Sequence, residues 1–179
     1  MWFRVVIASG FIATYFLFFK RKLFRVPPKA MPFFILGGLL ISIHWILFFH
    51  AIKISSVSVT LSVLSSASLM TSLLEPLFYK RRIRPYEVFF GAFVVLGLSM
   101  IFKAEQDASL GIYIALLSTL LSVLFTLLNG KLIEHYEATT ISFYQLLMGS
   151  LCLSIWLIFT MDIPDNFFVF EIPMLYQYL

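Results

Sequence analysis

Long apolar segments alternate with short polar ones along this chain of 179 residues. The apolar segments lack the period-two alternation of membrane β-strands, and each approaches the ~20 residues that a helix needs to cross a bilayer. Backbone groups in hydrocarbon must form hydrogen bonds within their own segment, which favours helices. The pattern predicts an all-α integral membrane protein with six transmembrane helices at residues 5–19, 31–52, 54–79, 86–102, 110–128 and 139–160.

Composition agrees with a membrane protein. Hydrophobic residues make up 61% of the chain and charged residues 12%, whereas an ordinary soluble domain is roughly 25% charged. A soluble domain of this size could not bury so much apolar surface, which excludes a soluble enzyme, a nucleic-acid-binding domain and a disordered chain. The expected partners are the lipid bilayer and a small-molecule substrate, with no nucleic acid.

The basic residues predict the orientation in the membrane. Ten of the 13 Lys and Arg residues lie between spans one and two, three and four, or five and six; the other three are Arg4, Lys53 and Lys103. The positive-inside rule places the richer side in the cytoplasm. We therefore expect a multi-pass protein of the cell membrane, with a bacterial inner membrane as first choice and both termini outside.

The third span is rich in serine, and residues spaced three or four apart share one helix face. The resulting stripe includes Ser62, Ser65, Ser68 and Ser72. Small residues of this kind let helices approach closely, but they also suit the lining of a water-filled cavity. Both interpretations stay open.

Glu75 lies near the cytoplasmic end of the same span, directly before Pro76. An intramembrane carboxylate is a functional candidate by default. Arg81 and its basic neighbours follow within two helical turns, so Glu75 is interpreted either as half of an interfacial ion pair or as part of a gate.

Three further polar or aromatic residues are candidate cavity-lining positions: His44, Trp45 and Asn129. His44 lies deep in span two, so its ring needs a hydrogen-bond partner or water. It is either a packed histidine or a pH-sensitive substrate contact. Asn129 ends the fifth predicted span before Gly130, and it is either a helix terminus or a lining residue.

Other features of the spans predict helix packing. Gln145 is expected to form an interhelical hydrogen bond, and Gly37, Gly38, Gly91 and Gly97 are expected at close helix contacts. No nucleophile elbow, P-loop or HExxH motif is present, and no span holds a pair of carboxylates. Cys152 is the only cysteine. We therefore expect no catalytic residue, no metal site and no cofactor.

Residues 44–102 resemble the first repeat of an EamA-type transporter of the drug/metabolite transporter superfamily. In order, they carry a Trp, an Ala-Ile-Lys-Ile-Ser junction at 51–55, a helix rich in small residues, a basic loop, and Gly91 and Gly97. The stretch from Gly111 through the FYQLLMG segment resembles the start of the second repeat. This succession of features spans nearly the whole chain.

The resemblance implies ten helices in two five-helix repeats of inverted topology. Residues 1–106 would supply the last four spans of the first repeat. Residues 107–179 would supply the first two spans of the second repeat and an external tail. We therefore expect a fragment that cannot transport alone as a monomer, and that needs a homodimer partner or the missing remainder.

The family's cavity-lining helices correspond to the second, third and fifth spans here, which supports His44, Trp45, the serines and Asn129 as lining candidates. A Glu-Arg pair that commonly follows the fourth family helix is replaced by the sequence KRRIRP, so no family role is transferred to Glu75. The expected function is a secondary transporter that moves a small metabolite or drug-like solute by alternating access. The alternative is a noncatalytic membrane scaffold or assembly subunit.

Overall fold

The computed structural model describes residues 2–19, 26–105 and 108–160. These residues form seven α-helices: α1 Trp2–Phe19, α2 Met31–Ile54, α3 Val57–Leu64, α4 Ala67–Tyr79, α5 Pro85–Ala104, α6 Ser109–Leu132 and α7 Ala138–Thr160. The basic residues at 20–25 and the tail 161–179, which entered the prediction of orientation, lie outside the described residues.

Five stretches are long and apolar enough to cross a membrane: Met31–Ile54, Val57–Tyr79, Pro85–Ala104, Ser109–Leu132 and Ala138–Phe159. In α1 a shorter apolar stretch, Val5–Tyr15, coincides with the shortest of the six predicted spans. The all-helical membrane architecture predicted from the sequence is confirmed.

The third predicted span is not one continuous helix, as the sequence pattern suggested. A turn at Ser65 and Ser66 separates α3 from α4. The amide of Ser66 donates to the carbonyl of Val63 at 3.0 Å, one residue short of its α-helical acceptor. The two helices therefore follow each other through one span with a break near its middle.

Serine hydroxyls bind backbone carbonyls at this break. The Oγ of Ser65 donates to the carbonyl of Ser62 at 2.6 Å, and the Oγ of Ser68 donates to the carbonyl of Ser65 at 3.2 Å. Such local bonds offer the backbone an alternative to the helical ladder and bend or interrupt helices. The break thus coincides with a segment rich in serine.

The α6 helix is longer than predicted, which corrects the interpretation of Asn129 as a helix terminus. Instead of ending at residue 128, α6 continues to Leu132, and the carbonyl of Asn129 accepts from the amide of Ile133 at 3.0 Å. Gly130 does not stop the helix, so the Asn129 side chain projects from a regular helical turn.

Two helix ends have clear local causes in the loop between α4 and α5. Lys80 ends α4 in the left-handed conformation, with φ of 53°. Pro85 occupies the first position of α5, where its missing N–H costs nothing, and Glu87 Oε2 accepts from the amide of Arg84 at 3.0 Å.

The α2 and α6 helices form the centre of the bundle. One apolar cluster, Ala51, Val59, Val63, Ile112 and Ala115, joins α2, α3 and α6. A second cluster, Ala30, Phe34, Leu132 and Ile141, joins the start of α2 to the end of α6 and to α7. The outer helices attach to this centre, α1 mainly through α7 and α5 through α4.

Two adjacent glycines allow α2 and α7 to pack closely. A Cβ on Gly38 would lie 2.8 Å from the carbonyl oxygen of Gln145, and a Cβ on Gly37 would overlap the Gln145 side chain. The predicted packing role is confirmed for these two glycines. It is also confirmed for Gly91, where an added Cβ would lie 2.5 Å from Leu69 Cδ1 of α4. It is wrong for Gly97, where an added Cβ would meet none of the described residues within 4 Å.

Candidate functional site

His44 is held in place by hydrogen bonds to one residue of the facing helix. Its side chain is buried, and its Nδ1 lies 2.8 Å from the carbonyl oxygen of Ser118. The hydroxyl of Ser118 in turn donates to the carbonyl of His44 at 3.0 Å. The Ser118 hydroxyl also lies 2.9 Å from Nδ1, so the backbone and the side chain of Ser118 both contact this edge of the ring.

His44 also lines a cavity of about 420 Å³. In the described part of the chain, no hydrogen bond engages Nε2. Residues from α1, α2, α3 and α7 line this cavity: Val5, Ala8, His44, Trp45, Phe48, Phe49, Leu64 and Leu146. The imidazole of His44 thus contributes a polar group to a largely aromatic and aliphatic wall.

Trp45 lies between this cavity and a second one of about 390 Å³. Together with Leu146 it lines both. The second cavity lies between α2, α6 and α7, and its lining is Ile41, Trp45, Phe125, Asn129, Ile133, Ala138, Ile141, Ser142, Gln145 and Leu146. Trp45 thus shares one cavity with His44 and the other with Asn129.

A pair of amides supplies polar groups in the second cavity. The Nε2 of Gln145 on α7 donates to the Oδ1 of Asn129 on α6 at 2.7 Å, which confirms the interhelical hydrogen bond predicted for Gln145. The Gln145 side chain is only 3% exposed, and the absence of a side chain at Gly37 makes room for it.

The serine stripe does not join these cavities. Ser62 and Ser65 line a separate groove of about 600 Å³ between α3 and α5. Ser68 is exposed, and the half-buried Ser72 donates its hydroxyl to the carbonyl of Leu69 at 2.8 Å. These hydroxyls are used along their own backbone, so the structure does not bring the stripe together with His44 and Trp45.

Glu75 forms an ion pair rather than standing alone in the span. The Nη2 of Arg81 lies 2.8 Å from Glu75 Oε2 and 2.8 Å from Glu87 Oε1. Side-chain hydrogen bonds to Glu87 and Glu75 raise the pKa of Arg81 further above its ordinary value. The guanidinium therefore stays cationic and ties the end of α4 to the start of α5.

The model of the EamA-like transporter family matches residues 1–103, more than half of the chain. This chain belongs to the EamA-like transporter family. No curated protein and no solved structure gives a significant match.

The family match covers only one side of the site. His44, Trp45, the serine stripe, Glu75 and Arg81 lie within the matched residues of this EamA chain. Their partners Ser118, Asn129 and Gln145 come from α6 and α7, beyond the match. The cavities beside Trp45 are thus formed where the family-matched helices meet the two that follow.

Sequence reasoning missed two residues that position the site. Ser118 fixes the His44 ring, and Ser42 is fully buried between α2 and α7, where its Oγ donates to the carbonyl of Gly38 at 2.6 Å. A lone hydroxyl within an apolar span was the available signal, since polar side chains in lipid seek partners on neighbouring helices. That signal does not say which helix supplies the partner.

Proposed function

We propose that this member of the EamA-like transporter family is a secondary transporter for a small, uncharged and partly apolar solute. The observation that carries the proposal is the position of Trp45, which forms a wall common to two cavities. One cavity contains the Asn129–Gln145 amide pair and the other contains His44. The solute would bind against the indole ring and exchange hydrogen bonds with these groups.

The dimensions and lining of the cavities support a small ligand. Their volumes, about 390 and 420 Å³, fall within the range of ligand pockets, roughly 300–1,000 Å³. Apolar and aromatic side chains dominate both linings, and His44 is the single ionisable residue among the described residues that line them. A permanently charged solute would lose its hydration without gaining a counter-charge, so we propose a neutral substrate.

Alternating access is the proposed mechanism. In transporters built from repeats, a substrate site near the midplane becomes open to each side in turn as one group of helices rocks against another. The α6 helix packs against α2, α3 and α4. The break at Ser65–Ser66 lies in that contact region and would allow α4 to change its angle to α3.

We further propose that the end carrying Lys29, the 80–84 loop and Lys131 is cytoplasmic, which places both termini outside. Lys53 and Lys103 lie at the opposite end of their helices. The Lys and Arg imbalance between the two ends supports this orientation. A second copy of the chain, or further helices of a two-repeat transporter, would complete the cavity walls.

A binding measurement tests the site directly. The chain has three tryptophans, so the double variant Trp2→Phe/Trp156→Phe leaves Trp45 as the only indole fluorophore. Titration with a panel of neutral aromatic and aliphatic metabolites should quench or shift this emission in a saturable way for at least one solute. The same solute should show protein-dependent flux in proteoliposomes.

A matched pair of variants separates transport from packing. Trp45→Ala should lower flux at least tenfold at equal folded yield, whereas Trp156→Ala, which removes a tryptophan outside both cavities, should leave flux within twofold of the parent. If both variants lose flux equally, or if no solute binds and moves, the scaffold alternative replaces this proposal.

A further inference from the structure

A separate pocket lies at the end of the bundle where α2 begins and α6 ends. Its volume is about 430 Å³, and it lies away from Trp45 and His44. Lys29, in the turn before α2, and Lys131, in the last turn of α6, both line it. Phe33 and Leu128 add apolar surface to the same pocket. We name it the Lys29–Lys131 pocket.

The two ammonium groups of this pocket lack acidic partners. In the described ranges, neither Lys29 nor Lys131 lies within salt-bridge distance of a carboxylate. The Nζ of Lys131 instead lies 5.4 Å from the ring centroid of Phe78 and 6.0 Å from that of Tyr79. These ring contacts hold the ammonium at the pocket without neutralising its charge.

The pocket also contains other groups that affect its charge. Glu134 is its one carboxylate among the described lining residues, and His135 adds a third group that is cationic when protonated. Two lysines against one glutamate leave a net positive charge even with His135 neutral. The pocket thus combines unpaired positive charge with an apolar surface at the level where a helix leaves the membrane.

The wall between the pocket and the centre of the bundle is fixed in place. The hydroxyl of Tyr79, at the end of α4, donates to the carbonyl of Leu127 on α6 at 3.1 Å. Gly130 gives the Tyr79 ring room to cross α6, because a Cβ there would overlap the Tyr79 hydroxyl. The pocket is therefore a defined feature of the packed bundle, not a gap between loose loop residues.

We propose that the Lys29–Lys131 pocket binds a phosphate-bearing anion, either the phosphodiester of an anionic membrane lipid or free phosphate. The Nζ groups of Lys29 and Lys131 would donate charge-assisted hydrogen bonds to the phosphate oxygens. Phe33 and Leu128 would contact the apolar part of a lipid. Basic pockets between helices at a membrane surface recognise anionic headgroups in this way. The site is independent of the solute cavities beside Trp45.

The test is thermal unfolding of the purified chain in neutral detergent. The probes are dioleoylphosphatidylglycerol, dioleoylphosphatidylcholine and inorganic phosphate, each titrated separately. We expect the anionic lipid to raise Tm in a saturable way and the zwitterionic lipid to leave it unchanged. If inorganic phosphate gives the same saturable rise, free phosphate is the ligand; if it does not, the lipid is.

Paired variants test whether the pocket is responsible. Lys29→Gln/Lys131→Gln should weaken the apparent affinity roughly tenfold or more, and Lys29→Arg/Lys131→Arg should keep it. The control Lys53→Gln/Lys103→Gln removes two exposed lysines from the opposite end and should leave affinity unchanged. Equal losses in the two glutamine pairs, or no anion response in the parent, would overturn the proposal.

A gain-of-affinity variant guards against misfolding as an explanation. Glu134→Gln removes the competing carboxylate and should tighten binding roughly twofold to fivefold, the size typical of one exposed charge interaction. A damaged fold would not bind more tightly. Weaker or unchanged binding by a folded Glu134→Gln protein would count against this pocket as the anion site.

Discussion

His44 on α2 and Ser118 on α6 bind each other in both directions across the central helix interface. The His44 ring nitrogen Nδ1 lies 2.8 Å from the Ser118 carbonyl oxygen, and the Ser118 hydroxyl lies 3.0 Å from the His44 carbonyl oxygen. The contact fixes both the rotation of the imidazole and the register of α2 against α6. A single serine thereby connects the packing of the bundle centre to a residue that lines a cavity.

Replacing Ser118 with alanine should destabilise the protein. The variant removes the hydroxyl that donates to the buried His44 carbonyl and lies 2.9 Å from Nδ1, while the Ser118 backbone carbonyl still contacts the ring, so we expect a loss of about 1–2 kcal/mol in unfolding free energy. Denaturant titration in detergent measures it. Ser99→Ala is the control, because its exposed hydroxyl binds only the carbonyl of Leu96 in its own helix. A loss of the same size in both variants would argue against the interhelical bonds.

Glycine-to-alanine changes at two positions should have opposite effects. Gly38→Ala places a methyl group 2.8 Å from a backbone oxygen of α7, so it should separate α2 from α7 and cost about 1–3 kcal/mol. Gly97→Ala meets open space and should add up to ~1 kcal/mol through helix propensity. Thermal unfolding measures the Tm of the two variants side by side. A Tm change of the same sign in both would contradict the close packing of α2 and α7.

The sequence predicted the features that depend on a short stretch of chain. It did not predict the features that depend on packing between helices. Apolar runs located the spans because each helix must satisfy its own backbone in lipid. The break at Ser65–Ser66 was not predicted, because serine is compatible with a helix and apolar residues continue on both sides. Asn129 was placed at a helix end because Gly130 suggested a stop, whereas tertiary packing carries the helix past it.

The partners of the site residues depend on tertiary packing. His44 needed a partner by physical argument alone, but Ser118 is 74 residues away along the chain and became identifiable only when α6 was packed against α2. The partner of Glu75 was easier to predict, since Arg81 follows within the next two helical turns of the chain. Sequence distance, more than residue chemistry, separates the contacts that could be predicted from those that could not.

Ser66 provides a test of the break itself. Its hydroxyl is 1% exposed and has no hydrogen-bond partner in the described part of the chain. Because a buried unpaired hydroxyl opposes folding, Ser66→Ala should leave stability unchanged or raise it by up to ~1 kcal/mol. Ser42→Ala, which removes a buried but bonded hydroxyl, should lower stability. Equilibrium unfolding of both variants provides the comparison, and a loss in Ser66→Ala would reveal a partner for its hydroxyl.

Cysteine labelling tests the proposed orientation. In a Cys152→Ser background, Arg82→Cys should react with a membrane-impermeant maleimide only from the cytoplasmic face, and Lys103→Cys only from the outer face. Both positions are exposed, so accessibility does not favour either. Inverted and right-side-out vesicles supply the two faces. Labelling of both positions from the same face would refute the topology.

The break between α3 and α4 has a consequence for motion inside a bilayer. A bend in a transmembrane helix ordinarily turns carbonyl groups toward hydrocarbon, where no water replaces the lost bonds. Here the hydroxyls of Ser65 and Ser68 already cover the carbonyls of Ser62 and Ser65. These carbonyls therefore do not depend on water for their hydrogen bonds. The angle between the two half-helices can change while each of the two oxygens keeps a serine donor close to it in the chain.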